Sequence, residues 1–119
     1  LKEQGIRVSI FFFFSPRMVE GAASIGADRV EFYTGPFAAQ YRTDPRAAIA
    51  GHIAAAQEAS QLNVGVNAGH DLNLDNLRFY ASMIPNLLEV SIGHALVCDA
   101  LYYGLSNVIG MYQHQLRSI

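Results

Sequence analysis

Charge is scarce in this chain. Of its 119 residues only 15% are Asp, Glu, Lys or Arg, and eight basic against ten acidic side chains leave a net charge of −2. Without a basic excess there is no electrostatic footprint for duplex DNA or RNA, so nucleic acid is not an expected partner. Cysteine is rarer still, with Cys98 the only one. It can make no intrachain disulfide and no multi-thiolate metal site, which fits a reducing compartment and predicts a cytoplasmic protein. Long apolar runs are missing too. The most hydrophobic stretch, Val8 to Phe14, follows a polar Lys2-Glu3-Gln4-Gly5 opening and falls far short of the ~20 residues a membrane-spanning helix needs, so neither a span nor a signal peptide is expected. No lysine follows Lys2, which argues against a Schiff-base lysine in this stretch. There is no Gly-x-Gly-x-x-Gly, no Walker loop and no Gly-x-Ser-x-Gly, and each absence removes a nucleotide or hydrolase reading.

What is present is a core. Apolar residues make up 51% of the chain, with ten Gly and only four Pro, a composition that excludes intrinsic disorder and predicts one domain. The chain opens without Met, in a segment that reads as a helix end running into a strand, which predicts further polypeptide upstream. One coarse pattern then recurs four times. Ile6 to Phe13, Val30 to Thr34, Val64 to Asn67 and Leu87 to Ile92 are short apolar, β-branched or aromatic runs, as buried strands are. The last three are closed by Gly35, Gly69 and Gly93.

Helical signals separate them. Ser15-Pro16 is an N-cap with proline at the first helical position and Gly26 a stop, giving a helix over about 16–26. Asp44-Pro45 repeats the start signal, and Ala48, Ile49, Ile53, Ala56 and Ala59 carry an apolar stripe to Leu62. Leu74, Leu77, Ala81 and Ile84 make a third stripe, ended by Pro85. Ala95 to Tyr103 and Asn107 to Leu116 make the last, broken at Gly104. Strict β/α alternation with continuous apolar strands predicts a parallel sheet covered by helices, either an open doubly wound sheet or about half of a (β/α)₈ barrel, which usually takes ~250 residues. In both, ligands collect at the carboxyl ends of the strands.

Those ends carry the candidate chemistry. Glu31 places a carboxylate on an apolar strand, with Tyr33 on the same face by the two-residue period. It either serves a developing cation or a proton transfer, or is paired with an arginine or hydrogen-bonded in the core. Val66-Asn67-Ala68-Gly69-His70-Asp71-Leu72 puts an imidazole that titrates near neutral pH at a loop opening beside a glycine, a candidate general acid. Asp71 is placed to orient it, while Asn73 competes as a cap for the next helix. Glu89-Val90-Ser91-Ile92-Gly93-His94 gives one polar strand face, then a glycine turn into a helix, where backbone N–H groups and the helix N-terminus suit a phosphate; a plain tight turn is the alternative. His52 and His114 read as helix-surface residues, Cys98 as a small packed one, and Phe11 to Phe14 as a buried strand end rather than a base-stacking platform. No spacing makes a recognisable metal-ligand set.

Taken in order, Glu31-Phe32-Tyr33-Thr34-Gly35, Val66-Asn67-Ala68-Gly69-His70-Asp71-Leu72 and Ser91-Ile92-Gly93-His94-Ala95 resemble pyridoxine 5'-phosphate synthase of the deoxyxylulose-phosphate-dependent vitamin B6 pathway. The resemblance runs from Gly5-Ile6-Arg7-Val8-Ser9 to the final helices. It implies that residues 1–119 are the C-terminal half, the last four βα units, of a (β/α)₈ TIM-type barrel whose N-terminal half lies outside this chain. It also implies the reaction: 1-deoxy-D-xylulose 5-phosphate condenses with 3-amino-2-oxopropyl phosphate to pyridoxine 5'-phosphate, releasing inorganic phosphate and water, with no cofactor or metal and in a homo-oligomer. By position, Glu31 matches the carboxylate that stabilises cationic imine-like intermediates and His70 the general acid. Asp71, through its backbone, and Gly93 with His94 match the aminoketone-phosphate site. A second catalytic histidine and glutamate, and most of the deoxyxylulose-phosphate site, belong to the other half. The Phe11 to Phe14 run departs from relatives, which commonly carry an acidic residue there. A phosphate-binding half-barrel without catalysis, and another barrel enzyme sharing only the anion site, are the alternatives.

Overall fold

The computed structural model describes residues 1–117. Four strands, β1 (Ser9–Phe12), β2 (Arg29–Tyr33), β3 (Gly65–Gly69) and β4 (Leu87–Ser91), form one parallel sheet in the order of the sequence. Helices α1 (Pro16–Ser24), α2 (Gly35–Tyr41), α3 (Pro45–Gln61), α4 (Leu77–Met83), α5 (His94–Tyr103) and α6 (Leu105–Arg117) fill the connections and the end of the chain. The strand order never reverses, so the switch point of a doubly wound sheet is absent among the described residues. The result is an α/β fold in which every neighbouring pair of strands is parallel and joined through helix.

Burial shows which face the helices cover. Along β2, Val30 and Phe32 are sealed while Arg29, Glu31 and Tyr33 are half-buried, the two-residue alternation of a sheet with one covered face. Phe12, Val30, Phe32, Val66 and Ala68 supply the sheet side of the core, against Val19, Phe37, Ile49, Ala56, Leu77 and Val108 from the helices. The polar residues of the strands therefore lie on the uncovered face. A bulge between Val66 and Asn67 shifts the β3–β4 register, so that Asn67 stands opposite Glu89.

The helix starts follow local chemistry. Asp44 caps α3, its Oδ1 accepting from Ala47 N at 3.0 Å, and Pro45 occupies the first turn, where no N–H is needed. Ser15 and Pro16 begin α1 as expected, though the Ser15 side chain makes no cap bond. The chain turns out of α1 through Gly26 at φ 78°, a conformation that costs glycine nothing. Gly104, at φ 83°, separates α5 from α6 at the expected position.

Several expectations are corrected. Strand β1 is shorter than Ile6 to Phe13, because Asp28 ties down the preceding chain: Val8 N donates to its Oδ2 at 2.8 Å and Val8 O accepts from Asp28 N at 3.0 Å. Helix α2 was not foreseen, since Gly35-Pro36 reads as a strand stop and is also a helix start. Helix α4 begins at Leu77 rather than Leu74, because Asn73 Oδ1 accepts from the N–H groups of Asp75 and Asn76, at 2.9 and 3.0 Å, and holds a turn first. His52 is fully buried, not on a helix surface, stacked on Phe14 with ring centroids 3.8 Å apart. Cys98 is exposed rather than packed, as α5 buries none of its residues among those described. Of the phenylalanine run only Phe12 is buried: Phe11 and Phe13 stand on the uncovered face, 52% and 66% exposed.

Candidate active site

The carboxyl end of β3 makes an unusual turn. His70 and Asp71 have φ values of 86° and 57°, the left-handed region that non-glycine residues seldom enter. The turn is held from both sides. From β2, Thr34 N donates to Gly69 O at 2.8 Å, Thr34 Oγ1 donates to the same carbonyl at 2.6 Å, and that hydroxyl also lies within donating reach of His70 O. From the α4 side, Asn76 Nδ2 donates to Asp71 O at 3.2 Å. The imidazole of His70 stands between two rings, with centroids 5.2 Å from Phe11 and 5.1 Å from Tyr33. No hydrogen bond among the described residues joins Asp71 to that imidazole. The rings of Phe11 and Tyr33, not Asp71, are what pack against the imidazole, and Asn73 holds the turn that precedes α4 rather than capping the helix, whose N-cap is Asn76.

Glu31 lies beside this turn. A Cβ on Gly69 would meet Glu31 Oε1 at 2.6 Å, so the carboxylate occupies room that any side chain at position 69 would take. Among the described residues no ion pair or hydrogen bond ties Glu31. The arginine that the core-pairing alternative required is engaged elsewhere: Arg29 Nη1 lies 2.8 Å from Glu89 Oε2 and donates to Asn67 Oδ1 at 3.2 Å. Asn67 Nδ2 donates to Glu89 Oε2 at 2.9 Å and Arg7 Nη2 approaches Glu89 at 3.4 Å. The hydrogen bond from Arg29, aided by its charge, holds the Glu89 carboxyl below the usual carboxylate range. Glu89 is therefore the structural carboxylate of the uncovered face, and Glu31 the unengaged one.

At the end of β4, Gly93 is the N-cap of α5 and His94 its first residue. A Cβ on Gly93 would meet nothing within 4 Å among the described residues, so their packing does not demand glycine there. The first N–H groups of α5 have no acceptors within the helix. His70, Asp71, Ser91, Ile92, Gly93 and His94 line one open cleft of about 470 Å³, within the range of small-molecule sites. His94 Nε2 also lies 3.7 Å from Cys98 Sγ, one turn along α5. Four of the five sequence-derived site residues thus share a cleft, and Glu31 lies against Gly69, the residue before His70. Thr34, Phe11 and Ser91 were not singled out from the sequence; a polar Thr closing an apolar strand was the available signal for the first.

Comparison with known proteins follows the same span. The family model for the pyridoxal phosphate biosynthesis protein PdxJ matches residues 1–118. The chain is 55% identical over 116 residues to a pyridoxine 5'-phosphate synthase from Cytophaga hutchinsonii, covering 98% of this chain and 49% of that protein. It is 55% identical over 115 residues to the enzyme of that name from Parabacteroides distasonis, covering 97% and 48%, and 50% identical over 116 residues to that of Flavobacterium johnsoniae, covering 98% and 49%. The chain spans about half the length of the curated relatives it matches.

Proposed function

This chain belongs to the pyridoxal phosphate biosynthesis protein PdxJ family, and from that premise we propose that it supplies the C-terminal half of a pyridoxine 5'-phosphate synthase. In this reading residues 1–119 are the last four βα units of a (β/α)₈ barrel. A strand order that follows the sequence, with helices over one face only, supports it. The uncovered face, carrying Glu31, Asn67 and Glu89, then becomes barrel interior.

The observation that carries the proposal is the shared cleft between the His70–Asp71 turn and the Gly93–His94 turn. The substrates are 3-amino-2-oxopropyl phosphate and 1-deoxy-D-xylulose 5-phosphate, closing to pyridoxine 5'-phosphate with loss of inorganic phosphate and water. The aminoketone phosphate sits with its anion against Gly93, His94 and the first turn of α5, and against the backbone of Asp71. Condensation of its amine with the ketone passes through cationic imine-like species, which the unengaged carboxylate of Glu31 stabilises. His70 delivers a proton to departing water or phosphate, a transfer that an imidazole performs well near neutral pH. The second histidine and glutamate, and the rest of the deoxyxylulose-phosphate site, come from the half outside this chain. The protein acts in the cytoplasm as a homo-oligomer, a state that the exposed Leu101, Tyr102 and Tyr103 of α5 suit. No helix among the described residues is long and apolar enough to cross a membrane.

A chimera in which this chain replaces the C-terminal half of a relative tests the proposal. Given both phosphorylated substrates it forms pyridoxine 5'-phosphate, measured by chromatography, and His70→Ala slows it by about 10²-fold. A folded chimera that binds inorganic phosphate but makes no product would instead make this chain a phosphate-binding module.

A further inference from the structure

We infer that Thr34 is a positioning residue for His70, acting through the left-handed turn at the end of β3. The inference rests on the reading of His70 as proton donor. Thr34 is fully buried at the junction of β2 and α2, and its two polar groups serve one purpose. Its N–H already satisfies Gly69 O, at 2.8 Å, so its hydroxyl is not needed to pair that carbonyl. The hydroxyl instead bridges the carbonyls of Gly69 and His70, the two groups that flank the turn. Two successive non-glycine residues at positive φ, His70 at 86° and Asp71 at 57°, are strained and persist only where the surroundings over-determine them. Thr34 supplies that constraint from the strand side, and Asn76 from the helix side.

The consequence is directional. The φ of His70 sets where its Cβ leaves the backbone, and so whether the imidazole sits between Phe11 and Tyr33 facing the cleft. A general acid misplaced by about 1 Å loses rate out of proportion to any loss of binding. The Gly93–His94 part of the phosphate site lies on another strand and keeps its place without the Thr34 hydroxyl, whereas the Asp71 backbone shares the turn that Thr34 holds. Removal of the hydroxyl therefore falls more heavily on turnover than on affinity.

The test compares Thr34→Val, which keeps the shape and removes the hydroxyl, with Thr34→Ser, which keeps the hydroxyl, in the synthase carrying this chain. Folding survives Thr34→Val, since Gly69 O keeps its N–H donor and His70 is exposed enough for its carbonyl to meet water. Thr34→Ala serves as a second hydroxyl-free variant should Thr34→Val melt early. The expected result is a fall in kcat of about tenfold or more with KM for the aminoketone phosphate within about threefold, and Thr34→Ser within about threefold of the parent in both. Adding Asp71→Gly to Thr34→Val recovers part of the loss, because glycine adopts the left-handed turn without help. Equal losses in the serine and the hydroxyl-free variants, or unchanged kcat without the hydroxyl, overturn the inference. A His70→Ala control separates the two ideas: if His70→Ala is slow and Thr34→Val is fast, only the positioning role falls, whereas an unaffected His70→Ala removes the acid role beneath it.

Discussion

Glu31 on β2 and Gly69 on β3 share one space. Oε1 of the glutamate lies where a Cβ on the glycine would come within 2.6 Å of it, with Ser91 Cβ closing the other side at 3.2 Å. The nearest of these atoms is the end of a flexible side chain, so Gly69→Ala is absorbed mainly by turning the carboxylate away. Stability falls by about 1 kcal/mol, while turnover of the synthase falls by at least about tenfold. Denaturant unfolding beside steady-state kinetics checks this. Loss of stability with unchanged turnover would mean that the carboxylate's place against Gly69 has no part in the reaction.

Gly93 gives the opposite case. With open space around its missing side chain and an ordinary φ of −114°, Gly93→Ala changes stability by no more than about 0.5 kcal/mol. A phosphate seated on the first turn of α5 meets the new methyl, so KM for the aminoketone phosphate rises by about tenfold. An unaltered KM would return this turn to a purely structural role.

His52 makes folding pH-dependent. Its ring is sealed among Phe14, Phe32 and Phe37, with Nδ1 2.8 Å from Tyr80 Oη and Nε2 without a hydrogen-bond partner among the described residues. Burial pushes its pKa down from 6.5 to about 4, and raises that of Tyr80. Between those two values the unfolded chain takes up a proton that the folded chain refuses. The stabilisation is thus complete above pH 6.5 and lost as pH falls toward 4. The loss attributable to His52 is about 3 kcal/mol. Urea unfolding at neutral pH and near pH 4, for the parent and for His52→Phe, isolates it: the parent loses more. Equal losses would show that the ring already takes up its proton in the folded state.

Arg29 tunes Glu89 rather than Glu31. Replacing it by Met removes the hydrogen bond and charge that depress the Glu89 carboxyl, so that group titrates at higher pH, as carboxyl NMR would record. An unchanged Glu89 titration would show that Arg29 does not hold that carboxyl.

The sequence made the alternation of strands and helices legible because strand ends carried glycine and helix starts carried Ser15-Pro16 and Asp44-Pro45. It also brought out Glu31, His70, Asp71, Gly93 and His94, since each lies at or near the carboxyl end of a strand. Less visible was whatever depended on contacts across the chain. His52 sits in an alanine-rich helix whose periodicity does not say that Phe14 covers it, and Gly51 leaves the room that ring needs: a Cβ there would meet Phe14 at 2.3 Å. Cys98 reads as core because its helix is apolar on several sides, yet it is exposed among the described residues. The turn at His70 and Asp71 was hidden because His and Asp, although enriched at positive φ, far more often adopt ordinary backbone; the hydroxyl bridging it comes from Thr34, 36 positions before His70.

The most direct test of the account is to titrate the isotopically labelled chain with inorganic phosphate and follow its backbone amide signals by NMR. The prediction is that the amides of His70 and Asp71 and those of Gly93, His94 and Ala95 shift together along one saturable curve, because two turns form one anion site. Saturable shifts confined to the arginine network around Arg7 and Arg29, with both turns unmoved, would contradict it.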